Sequence, residues 1–156
     1  ILKDQLLIFD NKENISISYL GMGEAYVVAP KPQLIRVFVN LITNAIQAVE
    51  MHQREMGAAE GCEFVGKVMI YLRNSTKDGF YDVVVDDNGS GVKEENIGKL
   101  FTPNFTTKSA GTGLGLAICR NIMEKCGGEI SYKRSFSLGG ASFTVTIPKK
   151  NDDDEC

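Results

Sequence analysis

A chain of 156 residues, 43% apolar and 24% charged, with a formal net charge of -3, has the make-up of one soluble domain that can bury a core without staples. Slight acidity and the lack of any Lys or Arg cluster argue against a nucleic-acid-binding surface and favour a nucleotide as ligand. Cys62, Cys119, Cys126 and Cys156 form no C-x-x-C pair, and the single histidine, His52, has no metal-binding companion.

Cys119 and Cys126 lie seven apart on an expected helix, roughly 10 Å along its axis at ~1.5 Å per residue, too far for an undistorted bridge. A reducing, cytoplasmic setting fits this usage. No apolar run approaches the ~18 to 20 residues of a membrane span, no direct membrane contact is expected, and no signal peptide is visible. Because the chain opens on Ile1 instead of Met, a piece of something longer is expected.

In chain order, residues 1–10 are amphipathic and read equally as helix or strand. Ile15, Ile17 and Tyr19 alternate with Ser16 and Ser18, the period of a strand. A turn follows at Gly21-Met22-Gly23, then a second strand is expected over Glu24 to Ala29, stopped by Pro30-Lys31-Pro32. Next comes a long helix whose apolar Leu34, Phe38, Leu41, Ile42, Ala45, Ile46 and Val49 recur at the spacing of one buried face, running on to Met56 and dissolving at Gly57. Gly57 to Gly66 is patternless and reads as an inserted loop. Val68, Ile70 and Leu72, then Tyr81, Val83 and Val85, give a hairpin around the turn at Asn74 to Gly79. A short helix from Glu94 to Leu100 precedes an irregular stretch, Phe101 to Gly115. A helix over Leu116 to Cys126 ends at Gly127-Gly128, and strands Glu129 to Arg134 and Ala141 to Ile147 close the chain. Residues 1–150 are expected to form one domain and 151–156 a disordered acidic tail. Strands alternating in blocks with helices imply an α+β two-layer sandwich, one mixed sheet with helices on one face.

Three features carry chemistry. Asn40, Asn44 and Gln47 sit at i, i+4 and i+7, so three carboxamides line one side of the long helix. Such a stripe can be a plain solvated face; equally, a carboxamide oxygen is a neutral hard ligand for magnesium, and its N–H groups can meet phosphate oxygens. Asp87-x-Gly89-x-Gly91 closes a strand, where glycines allow a sharp turn or close approach of a ligand and Asp87 can accept from an exocyclic amine; Asp-Gly turns are also common in any protein. Gly111-Thr112-Gly113-Leu114-Gly115-Leu116 leads three alternating glycines into a helix, an anion site built from exposed amides and the helix dipole. It lacks the Gly-Lys-Ser/Thr ending of a Walker loop, and no strand feeds it as a dinucleotide fingerprint requires. Lys108, just upstream, can reach a terminal phosphate from a loop, although a lone lysine is more often plain surface.

In this order, together with Phe101 and Phe105, these motifs resemble the ATP-binding catalytic domain of sensor histidine kinases, in the GHKL superfamily that also holds gyrase, heat-shock chaperone and mismatch-repair ATPases. The resemblance runs from about Ile15 to Pro148 and implies the Bergerat-type sandwich, with a mostly antiparallel sheet. It further implies that Asn40 and Asn44 are the N-box asparagines beside the phosphates, with Asn44 on magnesium. Gln47 falls where the family often has a phosphate-contacting basic residue, and Asn44-Ala45-Ile46-Gln47-Ala48 repeats the form of the nitrogen-regulation-like kinases. Asp87 would take the adenine amine, with Gly89 and Gly91 shaping its pocket. Ser142 would reach adenine through water. Phe101 and Phe105 match the F box, and Thr107, Lys108 and Gly111 to Leu116 match the lid and its phosphate loop. The loop from Thr106 to Ala110 is short beside many family lids, so little movement on closure is expected.

No phosphoacceptor motif is present, and His52 follows the N box on an unremarkable helical segment. Phosphoryl transfer depends on positioning and charge neutralisation, so an ATP cradle without a nucleophile is chemically sensible. The expected function is therefore ATP- and magnesium-dependent transfer of the γ-phosphoryl to a histidine on a separate dimerisation domain, with a response regulator downstream. The alternatives are a serine kinase or an ATPase of the same superfamily. Gyrase- and chaperone-type relatives carry a general-base Glu where this chain has Asn40, which cannot accept a proton at neutral pH. Asn40, Asn44 and Lys108 are thus the expected catalytic residues.

Overall fold

The computed structural model describes residues 15–57, 64–103 and 115–151. Its elements in chain order are β1 (Ile15–Gly21), α1 (Lys31–Gly57), β2 (Gly66–Asn74), β3 (Phe80–Asp87), α2 (Glu94–Ile97), α3 (Gly115–Lys125), β4 (Glu129–Arg134) and β5 (Ala141–Pro148). The five strands form one sheet in the order β1-β2-β3-β5-β4, with β1 parallel to β2 and every other pair antiparallel. Both long helices cover the same face, α1 over β2 and β3, and α3 over β4 and β5. This is the two-layer α+β sandwich, mostly antiparallel, that the alternation of elements implied.

The face assignment follows from pairing. Val68, Ile70, Val83, Val85, Phe143, Val145 and Ile147 all point into the helical layer, where Val37, Leu41, Ile42 and Val49 of α1 and Cys119 and Met123 of α3 meet them. On α1 these side chains recur with the period of 3.6 and are almost fully buried. Lys31–Met56 is apolar enough in mean hydropathy to match a membrane span by length and composition, contrary to expectation. Its apolar stripe is instead buried against the sheet, and Arg36, Asn40, Asn44 and Gln47 interrupt the rest of its circumference.

Two boundaries differ from expectation. Glu24 to Ala29 is not a strand: it makes a single antiparallel bridge, Val27 to Lys149, flanked by Val28 N–H to the Pro148 carbonyl and Lys150 N–H to the Tyr26 carbonyl. Pro30 cuts the segment short, and Pro148 offers no N–H to extend a ladder. The helix expected over Glu94 to Leu100 is one turn, Glu94–Ile97, followed by tight turns. Conversely, α3 ends as Gly127-Gly128 predicted. Gly127 has φ +75°, and Gly128 N–H bonds back to the Met123 carbonyl at 2.8 Å, closing a Schellman-type cap. Residues 1–10, most of the inserted loop and the acidic tail at 152–156 lie outside the described residues.

Candidate functional site

Asp87 ends β3 opposite Val68, so its side chain enters the helical layer. It is only 2% exposed. Its Oδ1 accepts hydrogen bonds from the backbone N–H groups of Gly89 (2.9 Å) and Ala141 (3.2 Å), and its carbonyl accepts from Gly140 N–H at 3.1 Å. The Asp-x-Gly turn therefore orients its own carboxylate and ties it to the start of β5. Space around the turn is closed by backbone. A Cβ on Gly140 would stand 2.4 Å from Asp87 Oδ1, and one on Gly89 would stand 3.0 Å from the Ala48 carbonyl. The turn is thus seated on α1 one residue beyond Gln47. Gly91, at φ +77°, takes a conformation that residues with a Cβ rarely adopt.

Behind Gly91 stands an aromatic column. Tyr132 accepts a hydrogen bond from Val92 N–H at 3.2 Å and packs on Phe143 at 5.3 Å, and Phe143 meets Phe101 edge to face at 6.3 Å. Phe101 is therefore anchored to the sheet beside the Asp87 turn, with the buried Leu100 next to it.

The second focus lies two turns back along α1. Asn40 faces Gly115, the first residue of α3; a Cβ there would be 3.4 Å from Asn40 Oδ1, in ordinary contact. Under this junction the buried Cys119 thiol points at the Val37 carbonyl, 3.9 Å away. Burial pushes its pKa up to about 11, against smaller opposing effects of the Asn40 side chain and the Arg36 charge. Asn44 is half-buried between the two foci, and Gln47 is exposed. The helical period thus presents Asn40 and Asn44 between the start of α3 and the Asp87 turn.

Ser142 is a correction. It pairs with Asp86, not Asp87, and strand alternation turns both side chains to the face away from the helices. There Asp86 Oδ2 accepts from Tyr71 Oη and from Ser137 Oγ at 3.3 Å. Ser142 Oγ, 1% exposed, has no hydrogen-bond partner among the described residues. Ala141 occupies the place beside Asp87 and contributes its N–H. Miscounting by one residue in a strand reverses the face, which is why a motif alone could not place Ser142.

Phe105, Thr107, Lys108, Gly111, Thr112, Gly113 and Leu114 lie outside the described residues, while Gly115 and Leu116 open α3. Sequence reasoning missed Ala48, Gly140 and Ala141 as the backbone walls of the Asp87 turn. Gly139-Gly140 was legible only as a hairpin turn. It also missed Asn88, whose carboxamide bonds Lys67 N–H at 2.7 Å and the Val65 carbonyl at 2.9 Å, pinning the turn to β2. His52 packs edge-on against Phe64, with ring centroids 4.9 Å apart.

The sheet order, the single helical layer and the glycine turn that follows Asp87 define the ATP-binding sandwich of the GHKL class. Residues 30–151 match the model of histidine kinase-, DNA gyrase B- and HSP90-like ATPases, and the chain belongs to this family. It is 32% identical to the sensor protein FixL of Bradyrhizobium diazoefficiens over 90% of this chain and 26% of FixL. The chain thus spans about a quarter of that relative's length. It superposes on the catalytic domain of histidine kinase ThkA with a TM-score of 0.76 and 31% identity, covering 95% of this chain and 90% of that domain. ThkA has also been solved in complex with the response regulator protein TrrA; that match has a TM-score of 0.72 at 28% identity and covers 96% of this chain and 39% of the ThkA chain.

Proposed function

We propose that this chain binds magnesium-ATP and serves as the catalytic part of a sensor histidine kinase, passing the γ-phosphoryl to a histidine on another domain of its parent protein. The observation that carries the reading is the placement of two foci on one helix. Asp87 is presented, pre-oriented by backbone amides, where α1 passes Ala48, and Asn40 meets the start of α3 two turns away. Adenine belongs at the first focus, with Asp87 accepting from its amine; Gly89 lets the turn approach the Ala48 carbonyl of α1 and Gly91 supplies the positive-φ bend, so the two glycines shape the pocket. The phosphates belong at the second, beside Asn40, Asn44 and Gln47, with Thr107, Lys108 and the amides of Gly111 to Leu116 completing the cradle. Lys108 is assigned to the terminal phosphate.

The donor set suits magnesium. Among the described residues no group of three His, Cys, Asp or Glu could form an all-protein cage. A magnesium ion retains waters, takes phosphate oxygens and needs few protein ligands, and Asn44 offers one carboxamide oxygen. When bound, the ion neutralises charge on the phosphates. Asn40 and Gln47 hold those oxygens by N–H donation, and Asn40 supplies no base to activate water, which favours transfer over hydrolysis.

The phosphoacceptor domain is the direct partner, and a response regulator acts downstream, as the ThkA complex with TrrA suggests by analogy. ATP supply places the domain in the cytoplasm. The test is to mix the chain with its parent's histidine-bearing helices and labelled ATP. An acid-labile, base-stable phosphoprotein is expected; an acid-stable product favours a serine kinase, and phosphate release without protein labelling favours an ATPase.

A further inference from the structure

Arg36 has no place in the cradle described so far, yet it lies on the same stripe of α1, one turn before Asn40. A cleft of about 530 Å³ opens between the first turns of α1 and the start of α3, and its wall carries Arg36, Asn40 and Gly115 together, with Val39 and Ile118 as apolar neighbours. The guanidinium sits on an exposed residue, and among the described residues no carboxylate is paired with it. Its charge is felt at Cys119, directly beneath Asn40. Arg36 therefore stands on the same cleft wall as the Asn40–Gly115 junction.

The chemistry of the stripe gives this cation a purpose. Asn40, Asn44 and Gln47 are neutral, so they can orient phosphate oxygens without cancelling charge. Bound magnesium leaves a triphosphate still negative. A guanidinium offers a planar fork of N–H donors that matches two phosphate oxygens at once, and the apolar flanks of the cleft strengthen the attraction relative to open water. A nucleotide with its base at Asp87 and its chain of phosphates directed along α1 past Asn44 and Asn40 has its last phosphate nearest residue 36.

We propose that Arg36 is a nucleotide-binding residue that pairs with the terminal phosphate and so distinguishes a triphosphate from a diphosphate. The inference rests on the reading of the chain as an ATP-binding domain. Its test is titration calorimetry of the whole chain with ATP, ADP and AMP in magnesium buffer, for the unaltered protein, Arg36→Gln and Arg36→Lys. Arg36→Gln is expected to weaken ATP about 10-fold or more while changing ADP and AMP by less than about 2-fold. Arg36→Lys, which keeps the charge and loses the fork, is expected to fall between. The slope of log Kd for ATP against log salt should also become shallower in Arg36→Gln. Equal losses for ATP and ADP, or no loss for either, overturn the assignment while leaving ATP binding intact. Failure of the unaltered chain to bind ATP overturns the parent reading as well. Because residue 36 is exposed, thermal melts of both variants should match the unaltered chain; if Arg36→Gln unfolds, the ATP-to-ADP ratio of Arg36→Lys decides.

Discussion

Asp87 meets two demands with one carboxylate: it satisfies the backbone N–H groups of Gly89 and Ala141, and it presents an anion on the helical side of the sheet. An asparagine can keep the oxygen that takes both N–H bonds. Asp87→Asn should therefore fold as before but bind ATP more weakly by roughly 1 to 3 kcal/mol, through loss of a charged hydrogen bond to the adenine amine. Unchanged affinity in calorimetry counts against that role. On the opposite face, burial first and the hydrogen bond to Asp86 second push the Tyr71 pKa from 10.0 up to about 12. The folded protein thus holds the phenolic proton more tightly than the unfolded chain. This contribution to stability is fully present below pH 10 and is lost as pH rises from 10 through about 12. Urea midpoints measured across that window should fall less steeply in Tyr71→Phe than in the unaltered protein.

At the scale of elements, the junction between the β3 turn and the start of β5 is the tightest feature of the site. Gly140 has no room for a methyl group: it would meet Asp87 Oδ1 at 2.4 Å, the Asp87 carbonyl at 2.5 Å and Gly89 N at 2.8 Å, two of them backbone atoms that cannot swing away. Gly140→Ala should cost about 1 to 3 kcal/mol in urea unfolding and weaken ATP together with it, because the same shift displaces Asp87. Gly115 differs: an added methyl would stand 3.4 Å from Asn40 Oδ1, so Gly115→Ala should leave stability nearly unchanged. Two glycines that look alike in sequence are separated by what faces them across the fold. The same holds for two asparagines: Asn40 faces α3, whereas Asn88 fastens the turn to β2.

For the whole molecule, α1 is the main core helix and, under the proposed function, also the floor of the cradle, so ligand binding and global stability should be linked. Magnesium-ATP at about a hundred times its Kd should stabilise the fold by ~2.7 kcal/mol, a rise in Tm of roughly 5 to 10 °C. In Asn44→Ala the part of that rise that depends on magnesium should vanish in thermal-shift measurements; an unaltered magnesium response removes Asn44 from the metal site.

Much of this was legible along the chain because it depends on local period and local backbone chemistry. The apolar spacing from Leu34 to Val49 required a one-sided helix, the alternation from Val68 to Val85 a hairpin, and Gly127-Gly128 a helix stop. The order of the asparagine, Asp-x-Gly-x-Gly and glycine-loop motifs was enough to indicate the family. What the chain alone left undecided depends on contacts between segments distant in sequence. Only the register of β3 on β5 put Ala141 beside Asp87 and turned Ser142 to the far face, since a shift of one residue reverses every side chain in a strand. Only the packing of α3 on α1 brought Gly115 and Cys119 to Asn40 and put Arg36 on the wall of the same cleft. Periodicity can say which side of an element is buried, but which partner lies there is decided by how the layers close.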